Sequence, residues 1–191
     1  MPKIVDREKY RKELLWKSFD LFAQKGYGSV TMREIAKELN VSTGTLYHYF
    51  PNKEALYLQL VEEQTEQDIS NFITEAGSPE TLQERIKVLI DFIEKDEDYF
   101  IKQTLLNFDF YQQQERSDIL SNDTLKKAWK HTEKAISGYL KIEDKAVIDF
   151  VLNFIGGLFT SRMLGGEEIA SYEEQGELLA KMLNAYLGNK E

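Results

Sequence analysis

The sequence contains no cysteine and only 3 prolines among its 191 residues. Without cysteine the chain cannot form disulfides, iron–sulfur clusters, thiolate zinc sites or a thiol nucleophile. With 11 glycines it is also neither collagen-like nor of low complexity. The most apolar charge-free stretch, 150–161, has 12 residues, whereas a membrane-spanning helix needs about 20. No apolar signal segment opens the chain. We therefore expect a soluble globular protein of the cytoplasm with no membrane partner.

Positive charge is scarce overall but concentrated at one end of the chain. The net charge is −9, yet residues 1–53 contain 10 Lys and Arg against 6 Asp and Glu. This distribution is typical of a small basic part that meets an anion, joined to an acidic body that does not. Random variation of surface charge would produce the same pattern, so the charge asymmetry alone does not decide between these two interpretations.

Apolar residues recur at steps of three and four along most of the chain, which predicts an all-α protein. Strand signals and repeats of a few tens of residues are nearly absent. Capping residues and glycine, asparagine or proline breaks place the boundaries of about nine helices. Pro79 is predicted in the first turn of the fifth of these. The predicted helices cover about 6–25, 32–40, 43–50, 53–76, 79–95, 98–114, 124–140, 143–164 and 173–187.

Residues 31–50 predict two short helices joined by a tight turn. Thr31 and Glu34 fit a capping box at the start of the first helix. Asn40 tolerates the left-handed backbone that a sharp turn requires, and Ser42 is a good N-cap for the second helix. This pattern is a helix-turn-helix.

The second of these helices has an apolar face and a face suited to a DNA groove. Leu46 and Phe50 share the inward side, while small side chains on the other side let a backbone approach closely. Lys53 follows at the start of the next helix, where its ammonium group and the free amides can meet a phosphate. The groove-facing residues are Thr43, Gly44, Tyr47 and His48.

From about Leu14 to Leu56 the sequence resembles the N-terminal DNA-binding domain of the TetR (tetracycline-repressor) family of transcription regulators. The matching segments occur in order and with their spacing intact. Asn40 stands where the family often has glycine, and its tolerance of the left-handed conformation accommodates the change. The matching segments are 21–27, 31–36, 41–50 and 53–56.

The resemblance implies an N-terminal three-helix DNA-binding domain, residues 1–52, and a larger helical effector-binding and dimerisation domain, residues 53–191. It implies a regulator, most often a repressor, that binds a palindromic double-stranded operator as a homodimer and is released by a small effector. We expect a largely apolar effector and no cofactor.

Three groups of candidate site residues follow. The predicted DNA-binding residues are Thr31, Arg33, Ser42, Thr43, Gly44, Thr45, Tyr47, His48, Tyr49 and Lys53. The predicted effector-pocket residues are Phe92, Phe100, Phe108, Tyr111, Trp129 and Phe154. The helix over 143–164 is apolar around nearly its whole circumference and must be buried in a large core or in a subunit interface. The predicted dimer-interface residues are Val151, Phe154, Ile155, Leu158, Leu179, Met182, Leu183 and Tyr186.

Several alternatives stay open at this point. Tyr47 and Tyr49 would also fit as partly buried aromatics of the small domain, and each pocket aromatic would also fit as plain core. The only histidines are His48 and His131, and neither has an acidic residue three positions earlier, so no metal site is predicted. An enzyme would need a nucleophile, a metal cluster or a phosphate loop, and a helical scaffold would leave the basic polar face unexplained. The regulator is therefore the favoured interpretation.

Overall fold

The structure is a computed structural model that describes residues 6–188; residues 1–5 and 189–191, the two ends of the predicted domains, lie outside this range. Over the described range the chain is helical, with no strand. The all-α prediction is confirmed. The α-helices are α1 (Arg7–Lys25), α2 (Met32–Glu38), α3 (Thr43–Tyr49), α4 (Lys53–Glu75), α5 (Leu82–Lys95), α6 (Glu97–Gln112), α7 (Arg116–Ser121), α8 (Asp123–Leu140), α9 (Lys145–Gly165) and α10 (Tyr172–Gly188).

The helix pattern differs from the prediction most clearly at α7 and at the start of α5. The short helix α7 was not predicted and brings the number within residues 6–188 to ten, against about nine expected. Pro79 was expected in the first turn of α5, but α5 begins at Leu82. Thr81 caps this helix and forms a capping box with Glu84, so the paired side-chain and backbone hydrogen bonds set the start after the proline.

The chain divides into two compact units. Unit 1 contains the residues up to Gln67 together with Leu105–Trp129, and unit 2 contains Asp68–Thr104 together with the residues from Lys130 onward. The chain passes from one unit to the other within α4, α6 and α8. The predicted functional division at residues 52 and 53 stays a prediction.

The core of unit 1 forms where α1, α2, α3 and the start of α4 bury one apolar face each. Their central side chains are at most 1% exposed, so these four elements share a common core. These side chains are Leu14, Leu15, Phe22, Ile35, Leu46, Phe50, Leu56, Tyr57 and Leu60.

The core of unit 2 is built from the end of α4 and from α5, α8, α9 and α10. Helix α10 packs closely on α5, where a side-chain carbon added at Gly176 would lie 3.0 Å from Ile90. Helix α9 buries Val147, Ile148 and Val151, while Phe150 stays 44% exposed. Unit 2 alone therefore does not cover the whole apolar circumference of α9.

The segment Lys145–Glu168 is long and apolar enough to cross a membrane by length and composition, with a mean hydropathy of 1.4 in an 18-residue window. This length exceeds the 12-residue stretch on which the sequence-based expectation rested, because charged residues interrupt the apolar segment only at wide intervals. A core helix of a soluble protein has the same properties, so this feature assigns no membrane span.

Candidate nucleic-acid interface

The turn between α2 and α3 has the geometry that a helix-turn-helix requires. Asn40 takes the predicted left-handed backbone, with φ of +54°. The amide of Val41 donates to the carbonyl of Ala36 at 2.9 Å and closes the turn. Ser42 caps α3, and Leu46 is fully buried on its inner side. These contacts fix which side of α3 faces outward.

The residues on the outward face of α3 are small or polar. His48 and Gly44 are exposed, and Tyr47 is 48% exposed. A side-chain carbon added at Gly44 would meet only the Ser42 hydroxyl oxygen, at 3.8 Å, an ordinary contact distance. Internal packing therefore does not require a glycine here, whereas a second molecule that approaches the backbone would.

The structure brings the ten predicted DNA-binding residues into unit 1, with different degrees of exposure. Thr43, Thr45, Tyr49 and Lys53 are partly buried, and the other six are exposed. Their contact with DNA stays a prediction. The exposed members are Thr31, Arg33, Ser42, Gly44, Tyr47 and His48.

The predicted hydroxyl residues also hold the ends of the two short helices. The Thr31 hydroxyl accepts from the Glu34 amide, and the Glu34 carboxylate accepts from the Thr31 amide at 2.8 Å, which completes the predicted capping box. The Thr31 hydroxyl also donates to the Glu34 carboxylate at 2.7 Å. The same hydrogen bonds lower the pKa of Glu34. The hydroxyls of Ser42 and Thr45 lie 2.7 Å apart, and the Thr45 amide donates to Ser42. These side chains stabilise the orientation of the helices.

Lys53 has a structural role that the sequence did not predict. Its Nζ donates to the carbonyls of Tyr27 at 2.8 Å and Val30 at 2.9 Å, and it lies 4.2 Å from the centre of the Tyr27 ring. Burial lowers the pKa of Lys53, although Asp109 and Glu34 act in the opposite direction. Two of the three N–H donors thus join α4 to the turn that precedes α2.

The turn at residues 26–28 is anchored on α6 within unit 1. The Gly28 amide donates to the Asp109 carboxylate at 3.2 Å, and Tyr27 packs edge-on against Phe110. Tyr27 is 4% exposed, and burial raises its pKa to about 12. Gly26, which ends α1, has a positive φ of +83°, a conformation that favours glycine. Asp109 thus positions the segment between α1 and α2, a role that no local pattern around Asp109 predicts.

Arg7 is a further residue beside the outward face of α3. Its Nη2 lies 2.7 Å from Nε2 of His48, although 41 positions separate the two residues. Nearby, Tyr10 of α1 makes an edge contact with Tyr49. Only the packing of α1 on α3 brings these residues together, so the spacing of residues along the sequence does not predict these contacts.

The predicted effector residues divide between the two units. Phe108, Tyr111 and Trp129 lie in unit 1, where Phe108 and Trp129 are each 48% exposed. In unit 2, Phe92 and Phe100 lie next to each other, with ring centres 5.9 Å apart. The same aromatic cluster also contains Phe72, Tyr139 and Phe159. The remaining predicted effector residue, Phe154, also lies in unit 2, where it packs against the core.

The predicted dimer residues lie on α9 and α10, but with very different exposure. Met182 and Tyr186 are about half exposed, at 50% and 49%, while Phe154 and Ile155 are partly buried. The other four have at most 5% exposure and belong to the core of unit 2. These four are Val151, Leu158, Leu179 and Leu183.

Two other features bear on small-molecule chemistry. A cavity of about 620 Å³ lies between α5 and α10, and its lining includes Glu84, Asp91, Glu94 and Glu177 but none of the predicted aromatics. Among residues 6–188, no group of three or more His, Asp or Glu side chains is arranged to hold a metal ion.

Comparison with known proteins places this site in a family. Residues 14–60 match the family described as bacterial regulatory proteins, tetR family. Over 96 residues the chain is 38% identical to YuxN of Bacillus subtilis (strain 168), an uncharacterised HTH-type transcriptional regulator. That alignment covers 48% of this chain and only 33% of YuxN, so the similarity concerns a part of each protein.

Solved structures resemble the chain over nearly its full length. FadR of Bacillus subtilis, crystallised in complex with stearoyl-CoA, has a TM-score of 0.68 and 19% identity, and covers 88% of this chain and 97% of its own. A transcriptional regulator of Saccharomonospora viridis, in complex with choline, has a TM-score of 0.70 and 14% identity, and covers 93% of this chain and 97% of its own. At these identities the similarity shows the fold.

The capped α2, the left-handed turn and the outward face of α3 define a helix-turn-helix. Residues 14–60, which contain this helix-turn-helix, match the tetR family of bacterial regulatory proteins, and over the rest of the chain the similarity to solved structures shows the fold.

Proposed function

We propose that the protein is a repressor that binds a palindromic operator as a homodimer and is released by a small, largely apolar effector. The observation that carries the proposal is the outward face of α3, where Gly44 is exposed and has no packing need for glycine. The family consists of regulators, and we propose no catalytic activity for this chain.

On the operator, α3 lies in the major groove. We assign Thr43, Gly44, His48 and Arg33 to base edges. The phosphate contacts come from residues at the margins of this face and from the third N–H donor of Lys53. The residues that we assign to phosphate contacts are Thr31, Tyr47, Tyr49 and Lys53. Ser42 and Thr45 hold the start of α3.

Selection of duplexes from a randomised library, followed by fluorescence anisotropy, tests this assignment. A twofold-symmetric sequence is expected, with half-sites separated by about one helical turn, 34–36 Å, or a little more. His48→Ala should change which sequence is preferred. Tyr47→Phe, which loses only a hydroxyl, should weaken all duplexes by the same factor. Enrichment of no duplex by the wild-type protein would contradict the proposal.

The homodimer is supported by apolar side chains that stay exposed on α9 and α10. Phe150, Leu164, Leu178 and Met182 are 44%, 77%, 51% and 50% exposed. Exposed apolar side chains grouped on two helices are typical of a protein–protein interface. Two such helices from each copy would form a four-helix interface.

Sedimentation velocity of a matched pair of variants tests the dimer. Met182→Glu places a charge on the exposed apolar side of α10 and should yield monomers that bind the operator weakly. Asn184→Glu adds the same charge about 200° further round the same helix and should leave the dimer intact. A wild-type monomer at micromolar concentration, or equal effects of the two variants, would contradict this interface.

The effector is proposed to bind among the aromatic side chains of unit 2. Phe100 stacks on Phe159, with ring centres 5.7 Å apart, and Phe72 contacts both Phe92 and Tyr139. The Tyr139 hydroxyl is buried and has no hydrogen-bond partner among the described residues. A buried hydroxyl of this kind suits a ligand that brings one polar group and a larger apolar part.

Stearoyl-CoA, which carries a long apolar acyl chain, and choline, a small cation, are the ligands of the two structural neighbours and serve as probes. The proposal expects stearoyl-CoA to raise the melting temperature and to weaken operator binding, with a coupling of about 1–3 kcal/mol. Tyr139→Phe should remove part of this coupling while it stabilises the unliganded protein by about 1–3 kcal/mol, because an unsatisfied buried hydroxyl is removed. A response to choline alone would contradict an apolar effector.

A further inference from the structure

Arg7 lies beside the recognition helix with most of its hydrogen-bonding capacity unused. It is the first residue of α1, whose start is fixed by Asp6 through hydrogen bonds from the amides of Glu8 and Lys9. The only hydrogen bond of its side chain within the described range is the one to Nε2 of His48. No carboxylate between residues 6 and 188 pairs with it, in contrast to Arg11, which contacts Glu8. The guanidinium group is therefore exposed, charged and held against α3.

The contact also fixes the state of the His48 ring. A guanidinium group is always protonated and only donates. Nε2 of His48 must therefore accept, so the imidazole is neutral and its proton is on Nδ1. Both members of the pair present only N–H groups to an approaching molecule.

A surface that only donates hydrogen bonds matches one base best. Guanine presents two neighbouring acceptors, O6 and N7, in the major groove, and arginine binds them in a bidentate manner. Cytosine presents an amino donor at the corresponding position, which this pair cannot accept. Phosphates also accept hydrogen bonds, but the pairing holds Arg7 against a side chain on the groove-facing side of α3.

We propose that Arg7 is a specificity-determining residue that acts with His48 to select a guanine in each operator half-site. The inference rests on the proposed DNA-binding function and adds to it a residue outside the helix-turn-helix. Arg7 has two roles in it: it holds the imidazole as an Nδ1–H donor, and it donates to the base.

Library selection with three variants tests the proposal. The wild-type protein should enrich a guanine at one position of each half-site. Arg7→Ala and Arg7→Lys should both reduce the preference for that guanine roughly tenfold or more, because lysine keeps the charge but not the bidentate fork. Lys9→Ala removes an equal charge two residues further along and should weaken all duplexes alike while the guanine preference is kept.

A measurement without DNA tests the positioning role. The chain has only two histidines, so a His131→Gln background leaves His48 as the single imidazole in a nitrogen NMR spectrum. The pair predicts the Nδ1–H tautomer, and Arg7→Ala should increase the Nε2–H form. Because Arg7 and His48 are exposed, thermal melting should show that both Arg7 variants fold like the wild type.

The outcomes separate the inference from the function on which it rests. If the wild-type protein selects no sequence, the DNA-binding proposal fails and the inference fails with it. If the wild-type protein selects an operator and Arg7→Ala shifts affinity for all sequences equally, as Lys9→Ala does, then Arg7 contacts phosphate and only the inference is overturned. An Nε2–H tautomer in the wild-type protein would overturn the positioning role.

Discussion

Substitution of Gly44 by alanine adds a single methyl group, and its effects on folding and on DNA binding can be measured separately. Gly44 is the second residue of α3, with an ordinary helical backbone rather than a left-handed one. The added methyl group would meet only Ser42, at 3.8 Å. The substitution therefore introduces no steric conflict within the protein.

We expect Gly44→Ala to increase the stability of the fold and to decrease the affinity for DNA. Alanine is favoured over glycine in a helix by up to about 1 kcal/mol, so Gly44→Ala should stabilise the protein and raise Tm by roughly 2–4 °C. On DNA the methyl group occupies space that the base edges or the backbone need. The loss of one good base contact corresponds to about 1–3 kcal/mol, or roughly 5- to 150-fold in affinity.

Thermal melting and operator titration of two variants measure both effects. Gly138→Ala is the matched control, because Gly138 is an exposed helical glycine in α8 with no atom within 4 Å of an added methyl group. It should give a similar stabilisation and leave operator affinity unchanged. The two variants thus share the effect on the unfolded chain and differ only in the surface they alter.

Two results would refute this reasoning. If Gly44→Ala bound the operator as tightly as Gly138→Ala does, the outward face of α3 would not approach DNA closely at this residue. If Gly44→Ala destabilised the protein, the space around Gly44 would be smaller than the structure shows.

Three further predictions concern stability, each measured by denaturant unfolding. Leu46→Ala removes a fully buried side chain and should cost about 2–5 kcal/mol; a loss below 1 kcal/mol would show that α3 is not packed on the core. Lys53→Ala removes a charged donor from two carbonyls and should cost about 1.5–3 kcal/mol; an unchanged stability would show that these contacts do not form. Burial raises the pKa of Asp68 to about 6 from 3.8, so the fold favours its protonated form, and this contribution is complete below pH 3.8 and lost as the pH rises through 6. Asp68→Asn cannot ionise, and its stability relative to the wild type should rise by up to about 3 kcal/mol between pH 4 and pH 7; a difference that stays constant over this range would contradict the burial of the carboxylate.

Local features of the sequence predicted the helix-turn-helix well. The capping box of Thr31 and Glu34, the left-handed backbone of Asn40 and the cap at Ser42 all depend on neighbours within a few residues. The prediction at Pro79 was wrong because a second capping box, formed by Thr81 and Glu84, overrode a general preference for proline in a first helical turn. That signal was also local and was available in the sequence.

Contacts between distant residues were not predictable from the same signals. Lys53 binds carbonyls of residues 27 and 30, and Asp109 accepts from an amide 81 positions away. Nothing in the residues around either position distinguishes a surface charge from one that closes a turn. The exposure of the α9 and α10 residues likewise depends on which helices pack against them.

The sequence by itself determined the helical class, the caps and the outward polar face of α3, because hydrophobic periodicity and capping act over one or two turns of a helix. Only the tertiary structure decided that Arg7 meets His48 and that Lys53 joins α4 to the turn before α2. It also decided that Leu179 lies in the core while Met182 stays exposed. A single helix fixes which residues share a face. Which neighbour covers that face depends on the packing of the whole chain, because several segments have apolar faces that could cover it.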